Sequence, residues 1–192
     1  MKKILLINAC ARKASRTYRL AKALEDRLST GNHVEEVKLY ETELPTLDEN
    51  RIAMRDRALM EGDFTDSYFD AAKTFREADE IIVAAPYWDL SFPSVLKQYL
   101  ELVSINGITF RYTPQGIPEG LCKAETLYYV TTAGGEIGEL NLGYDYVKAL
   151  SVMLFGIGRT YCIRAVGLDM EGVDSEAVLE NAIENLGIVA KG

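Results

Sequence analysis

Histidine is nearly missing from this 192-residue chain: His33 is the only one, and it falls in a stretch that reads as a surface turn. A Ser-His-Asp relay needs a histidine beside its nucleophile, so that mechanism is not expected. Cysteine is scarce as well. Cys10, Cys122 and Cys162 lie far apart and are odd in number, which supplies neither a disulfide framework nor a CxxC metal or cluster site. That usage fits a reducing, cytoplasmic setting. No stretch approaches the roughly 20 apolar residues of a membrane helix. The apolar run behind Lys2 and Lys3 is short for a signal sequence and suits a buried first strand better. Several motifs are missing too: the GxxxxGKS/T phosphate loop, the GxGxxG dinucleotide fingerprint and the GxSxG elbow. No clustered metal ligands occur, so no metal is expected.

Positive charge is in deficit, with 21 Lys and Arg against 29 Asp and Glu and a net charge of −8. A nucleic-acid partner or an anionic membrane surface would call for the opposite balance, and neither is expected. What the chain does have is apolar content, 48 % of its residues, enough to bury one core and form one domain over 1–192.

Strand-length apolar runs at 3–8, 34–40, 80–85, 123–132 and 160–166 are each followed by a helical pattern, at 15–28, 64–78, 93–103, 142–155 and 175–189. Glu80-Ile-Ile-Val-Ala-Ala85 is apolar without alternation, as in a strand covered on both faces. Five β-α repeats predict an α/β fold, a doubly wound, flavodoxin-like parallel sheet in the order 2-1-3-4-5 with helices on both faces. Two stretches stand outside the repeat. Residues 41–62 form a charged excursion with a short helix near 50–60. Residues 107–116 alternate like a hairpin insertion, with Ile108, Phe110 and Tyr112 on one face.

In such a sheet, ligands bind at the carboxyl ends of the strands where the order reverses. The loop after strand one runs Cys10-Ala-Arg-Lys-Ala-Ser-Arg-Thr17, and residues 10–19 hold Arg12, Lys13, Arg16 and Arg19 with no acid. Ser15 or Thr17 can cap the helix, and the open N–H groups of its first turn, with Arg12 or Arg16, can take one phosphate. Cys10 ends the strand beside that loop and is counted with the cofactor-binding residues, its ordinary reading being a small packing residue. The loop after strand three is aromatic (Pro86, Tyr87, Trp88, Asp89, Leu90), and the one after strand four carries Thr132, Ala133, Gly134 and Gly135. Each loop has an ordinary reading: a capped helix end, an aromatic core pair, a glycine turn. Placed on one edge, they describe a phosphate site next to a flat ring, as in flavin mononucleotide.

The block from Ala85 to Leu100, then Gly107-Ile-Thr-Phe-Arg-Tyr-Thr113 and Glu119-Gly-Leu121, resembles the FMN-dependent NADH-azoreductase and NAD(P)H:quinone oxidoreductase family. The resemblance runs from strand one to about Gly158. It implies a flavodoxin-like fold, tightly bound FMN, NADH or NADPH as co-substrate, and a homodimer with active sites at the subunit interface. It also implies two-electron reduction of a small acceptor such as a quinone or an azo compound, with nitroaromatic-type acceptors expected besides. Matched motif by motif, Ser15, Arg16 and Thr17 fall on the phosphate loop. Pro86 to Leu90 fall on the segment lining the ring, Thr132 to Gly135 on the second ring-contacting turn, and Tyr112 on the substrate side. The family segment typically reads A-P-M-Y-N-F, so Trp88 replaces a tyrosine and Asp89 an asparagine, while Ala133 replaces an arginine or similar polar residue. A carboxylate near the ring would lower the flavin potential.

The expected reaction order is ping-pong, with nicotinamide nucleotide and acceptor using one place in turn. No side-chain nucleophile is needed, because the cofactor carries the hydride. Asp89 and Tyr112 are the candidate substrate-side residues. Two other readings stand beside this one: a flavodoxin-type electron carrier, and a fold relative that binds a different phosphorylated ligand.

Overall fold

The computed structural model describes residues 1–186. Its frame is a five-stranded, all-parallel sheet in the order β2-β1-β3-β6-β7. The strands are β1 (Lys3–Asn8), β2 (His33–Lys38), β3 (Glu80–Ala84), β6 (Thr126–Thr132) and β7 (Arg159–Ala165). Counted within the sheet alone, this is the expected order 2-1-3-4-5. β3 and β6 are buried at every position, as parallel strands covered on both faces must be.

Successive side chains of a strand point to opposite faces, so each strand feeds two cores. Leu5, Ile7, Ile81, Val83 and Tyr129 face one way, toward Phe75, Leu96, Tyr99 and Val103. Those residues come from α3 (Asp70–Glu77) and α4 (Ser94–Val103), and Val147 of α5 (Leu142–Leu150) completes the layer. Ile4, Leu6, Ile82, Tyr128 and Val130 face the other way, against Leu20 and Leu24 of α1 (Arg16–Leu28) and Leu179 of α6 (Ser175–Glu184). The charged excursion contains α2 (Glu49–Glu61), capped by Asp48 and closed by Gly62 at φ 67°. Its Ala58 joins Phe69, Ala72, Ile105 and Ile108 in a small satellite core.

The structure departs from sequence expectation at three places. The helix expected from Phe64 begins later, as a 3₁₀ turn Ser67–Phe69 running into α3. Asp63 accepts from the Thr65 N–H and Asp66 from the Tyr68 N–H, local bonds that compete with helix formation. The hairpin is shifted: β4 (Phe110–Tyr112) pairs with β5 (Pro118–Gly120), and Gly116 lies in the turn at φ 76°. There the Thr113 N–H donates to Ile117 O and the Gly116 N–H to Thr113 O. Ile108 therefore belongs to the satellite core, while Phe110 and Tyr112 do share a face, their rings 5.5 Å apart edge to face. The helix expected over 142–155 is α5 followed by a π turn, Ser151–Phe155, stopped by Gly156 at φ 77°. The last residues of the expected closing helix, 187–189, lie outside the described residues.

Candidate functional site

The carboxyl ends of β1, β3 and β6 deliver their loops to one cleft of about 240 Å³. The first loop lines it with Arg12, Ser15, Arg16 and Thr17, the second with Pro86, Tyr87 and Trp88, and the third with Thr132, Ala133 and Gly134. Asp169, from the connection between β7 and α6, lines it as well. Another cleft, of about 320 Å³, opens at the opposite end of the sheet beside Lys3, His33 and Glu77, away from the crossover point.

At the first loop, Ser15 is the N-cap of α1, its Oγ accepting from the Tyr18 N–H at 3.2 Å. The first N–H groups of a helix have no intrahelical partner, and Arg16 and Thr17, which open α1, border the cleft. The first turn contains no acid to compete for them. Arg12 and Lys13 are exposed and make no hydrogen bond or ion pair among the described residues. Arg16 does: Nη1 donates to Leu168 O at 3.1 Å and Nη2 to Asp169 Oδ1 at 2.7 Å. The Thr17 and Thr132 hydroxyls lie 2.6 Å apart, both buried, and tie the start of α1 to the end of β6.

At the second loop, the Tyr87 N–H donates to Thr132 O and its hydroxyl to Leu140 O at 2.9 Å, which fixes the ring at the cleft wall. Trp88 and Ser91 exchange both backbone bonds around Asp89 and Leu90, at φ 50° and 64°. Two left-handed residues in such a loop make a type I′ turn. The turn holds Trp88 at the cleft edge, 39 % exposed, and carries the Asp89 and Leu90 side chains out into solvent.

At the third loop, the Ala133 N–H donates to Ala165 O. In return Ala133, Gly134 and Gly135 carbonyls accept from Leu168, Asp169 and Gly167. A Cβ on Gly134 would sit 2.4 Å from Asp169 Oδ2, so this position accepts no side chain without moving that carboxylate.

Of the residues expected to hold a cofactor, Cys10, Asp89, Leu90 and Gly135 are beside the cleft rather than on its lining. The Cys10 thiol points at Ala84 O, 3.7 Å away, and burial pushes its pKa up to about 11. It borders an adjoining cleft of about 440 Å³, shared with Arg12, Lys13, Tyr18, Lys38 and Tyr40. Tyr112 sits exposed on β4, off the cleft lining. Asp169 escaped sequence reading altogether, since no motif surrounds it and its contacts are to residues more than 30 positions away.

A cationic helix end, an aromatic wall and a glycine-bearing turn thus share one cleft at the crossover of a doubly wound sheet. Residues 2–187 match the family described as Flavodoxin-like fold. The chain belongs to that family. Among curated proteins, this flavodoxin-like chain is 32 % identical to FMN-dependent NADH:quinone oxidoreductase 2 of Clostridium acetobutylicum, over 100 % of its own length and 99 % of the relative's. It is 31 % identical to an FMN-dependent NADH:quinone oxidoreductase of Clostridium perfringens, again over 100 % and 99 %. Among solved structures, the FMN-dependent NADH-azoreductase of Bacillus anthracis in complex with FMN superposes with a TM-score of 0.81 at 22 % identity, covering 100 % of this chain and 98 % of that one. At that identity the superposition speaks to the fold alone. No helix among the described residues is long and apolar enough to cross a membrane.

Proposed function

We propose that this flavodoxin-like chain is an FMN-dependent NAD(P)H oxidoreductase that reduces quinones or azo- and nitroaromatic-type acceptors by two electrons. The observation that carries the reading is the meeting of three loops in one cleft, each suited to a different part of the cofactor. Open amides at the start of α1, the Ser15 hydroxyl and Arg12, which has no partner among the described residues, suit a phosphate. Tyr87 and Trp88 offer flat apolar surface to a ring. Gly134 puts bare backbone on the cleft wall, its side-chain position being taken by Asp169 Oδ2. Full-length similarity to proteins named FMN-dependent NADH:quinone oxidoreductases supports the same assignment.

Bound flavin supplies the hydride acceptance and return. The chain's own residues bind, orient and wall off. The Thr17–Thr132 hydroxyl contact keeps the first and third loops in register, and Tyr87, pinned at both its N–H and its hydroxyl, holds the second against them. Trp88 stands at the open edge, where flat substrates can stack. Asp89 and Tyr112, both exposed and off the cleft lining, are assigned to the substrate side rather than to the cofactor.

The active unit is a homodimer. Trp88, Leu90, Leu140, Leu142 and Tyr146 remain exposed around the same rim, an apolar arc that a second copy would cover. Free Cys10, Cys122 and Cys162 suit a reducing cytoplasm. The test is steady-state NADH oxidation with a quinone varied at several NADH concentrations. Parallel double-reciprocal lines are expected for the ping-pong order. Absence of turnover with every quinone and azo acceptor tried would sink the reading.

A further inference from the structure

Arg16 lies where a phosphate would be read from the sequence, yet both of its terminal nitrogens already hold a protein acceptor. Nη1 reaches Leu168 O at 3.1 Å and Nη2 reaches Asp169 Oδ1 at 2.7 Å, with the side chain 30 % exposed. The segment it grips is the one that supports the third loop. N–H groups of Gly167, Leu168 and Asp169 donate to Gly135, Ala133 and Gly134 carbonyls, and Asp169 Oδ2 lies against the Cα of Gly134 where a Cβ would be. A continuous set of bonds therefore runs from the start of α1, through one guanidinium, to the glycine turn. One residue turn along α1, Arg19 forks onto Glu176 and ties the helix to α6 without touching that turn.

Turning Arg16 to a phosphate would break both bonds and leave the Asp169 carboxylate facing the incoming anion without its counter-charge. Arg12 has no bond to give up among the described residues. We propose that Arg16 and Asp169 are positioning residues, a clasp that sets the glycine turn 133–135 against the flavin ring, and that Arg12 with the α1 amides meets the phosphate. The proposal rests on the flavin reading above.

Riboflavin, which lacks the phosphate, separates the two roles. Dissociation constants for FMN and riboflavin are measured by flavin fluorescence quenching for the wild type, Arg12→Gln, Arg16→Gln, Arg16→Lys and Asp169→Asn. Arg12→Gln is expected to weaken FMN about tenfold and leave riboflavin unchanged. Arg16→Gln and Asp169→Asn are expected to weaken both ligands by the same factor, so their ratio holds. Arg16→Lys should behave like Arg16→Gln, because a lysine keeps the charge but not the fork. The clasp is overturned if Arg16→Gln collapses the FMN-to-riboflavin ratio, if Arg16→Lys restores FMN binding, or if Asp169→Asn tightens FMN by freeing a cation. Amide hydrogen exchange on the flavin-free protein gives an independent readout. Faster exchange at 167–169 in Arg16→Gln and Asp169→Asn, and not in Arg12→Gln, is expected; unchanged exchange overturns the clasp. If the wild type takes up neither ligand, the flavin reading fails while exchange still decides the clasp.

Discussion

Leu90 holds φ 64° at the second position of a type I′ turn, a conformation that costs a β-carbon-bearing residue roughly 1–2 kcal/mol. Its side chain is 50 % exposed, so it recovers little by burial in the single chain. In a variant kept monomeric, Leu90→Gly is therefore expected to stabilise the chain by about 0.5–1 kcal/mol after the entropy cost of glycine, read as a higher urea midpoint. A lower midpoint in that monomer would contradict the strain assigned to Leu90. The thiols make a second case. Burial raises Cys10 and Cys162 to about 11 and Cys122 to about 12, from an ordinary 9.0. A raised thiol keeps its proton in the folded state after the unfolded chain has lost it. Stability from these groups is present below pH 9 and is lost as pH rises from 9 toward 11. The raised Tyr99 and Tyr129 hydroxyls, also buried, push the same way at higher pH. Urea midpoints should be level between pH 7 and 8.5 and fall by pH 10; a midpoint level to pH 10 would contradict this. At this scale the sequence was only partly legible. Residue type and position placed Arg12, Ser15, Tyr87, Trp88 and Gly134 on one cleft. The partners of Arg16 and Thr17 were not readable, because they lie more than 100 residues away along the chain.

Among the elements, the central strands were the most legible. β3 and β6 are mostly apolar and buried on both faces, as strands of a parallel sheet covered by helices on both sides are. β5 was the least legible. Pro118-Glu-Gly120 shows no alternation, and it is held by three paired positions with β4 and by its back against the π turn. That contact is backbone to backbone: a Cβ on Gly120 would meet Gly156 N and Phe155 C at 2.2 Å. Nothing flexible is there to yield, so Gly120→Ala is expected to cost about 2–3 kcal/mol by forcing the hairpin off the π turn. The check is again the urea midpoint, and a change within 0.5 kcal/mol, the usual range for a surface position, would refute it. The late start of α3 has the same kind of cause. Helical period alone did not reveal that Asp63 and Asp66 spend their carboxylates on nearby N–H groups.

For the whole molecule, topology does what no single motif does. Placing β1 between β2 and β3 puts three separate loops at the carboxyl edge where the winding reverses, and each loop is unremarkable alone. The apolar arc around that rim gives a prediction at this scale. Sedimentation at micromolar concentration should show a dimer, and Leu142→Glu, on the exposed arc, should shift it toward monomer without unfolding it. A wild type that sediments as a monomer would remove the dimer from the proposal. The claim on which the rest depends is that the cleft holds FMN and takes electrons from a nicotinamide nucleotide. The most direct measurement is the visible absorption spectrum of the purified protein loaded with FMN, followed by anaerobic mixing with NADH. Flavin bands that travel with the protein and bleach within the mixing time are expected. A protein that takes up no FMN, or one whose flavin bands survive NADH and fall only to dithionite in one-electron steps, would contradict it.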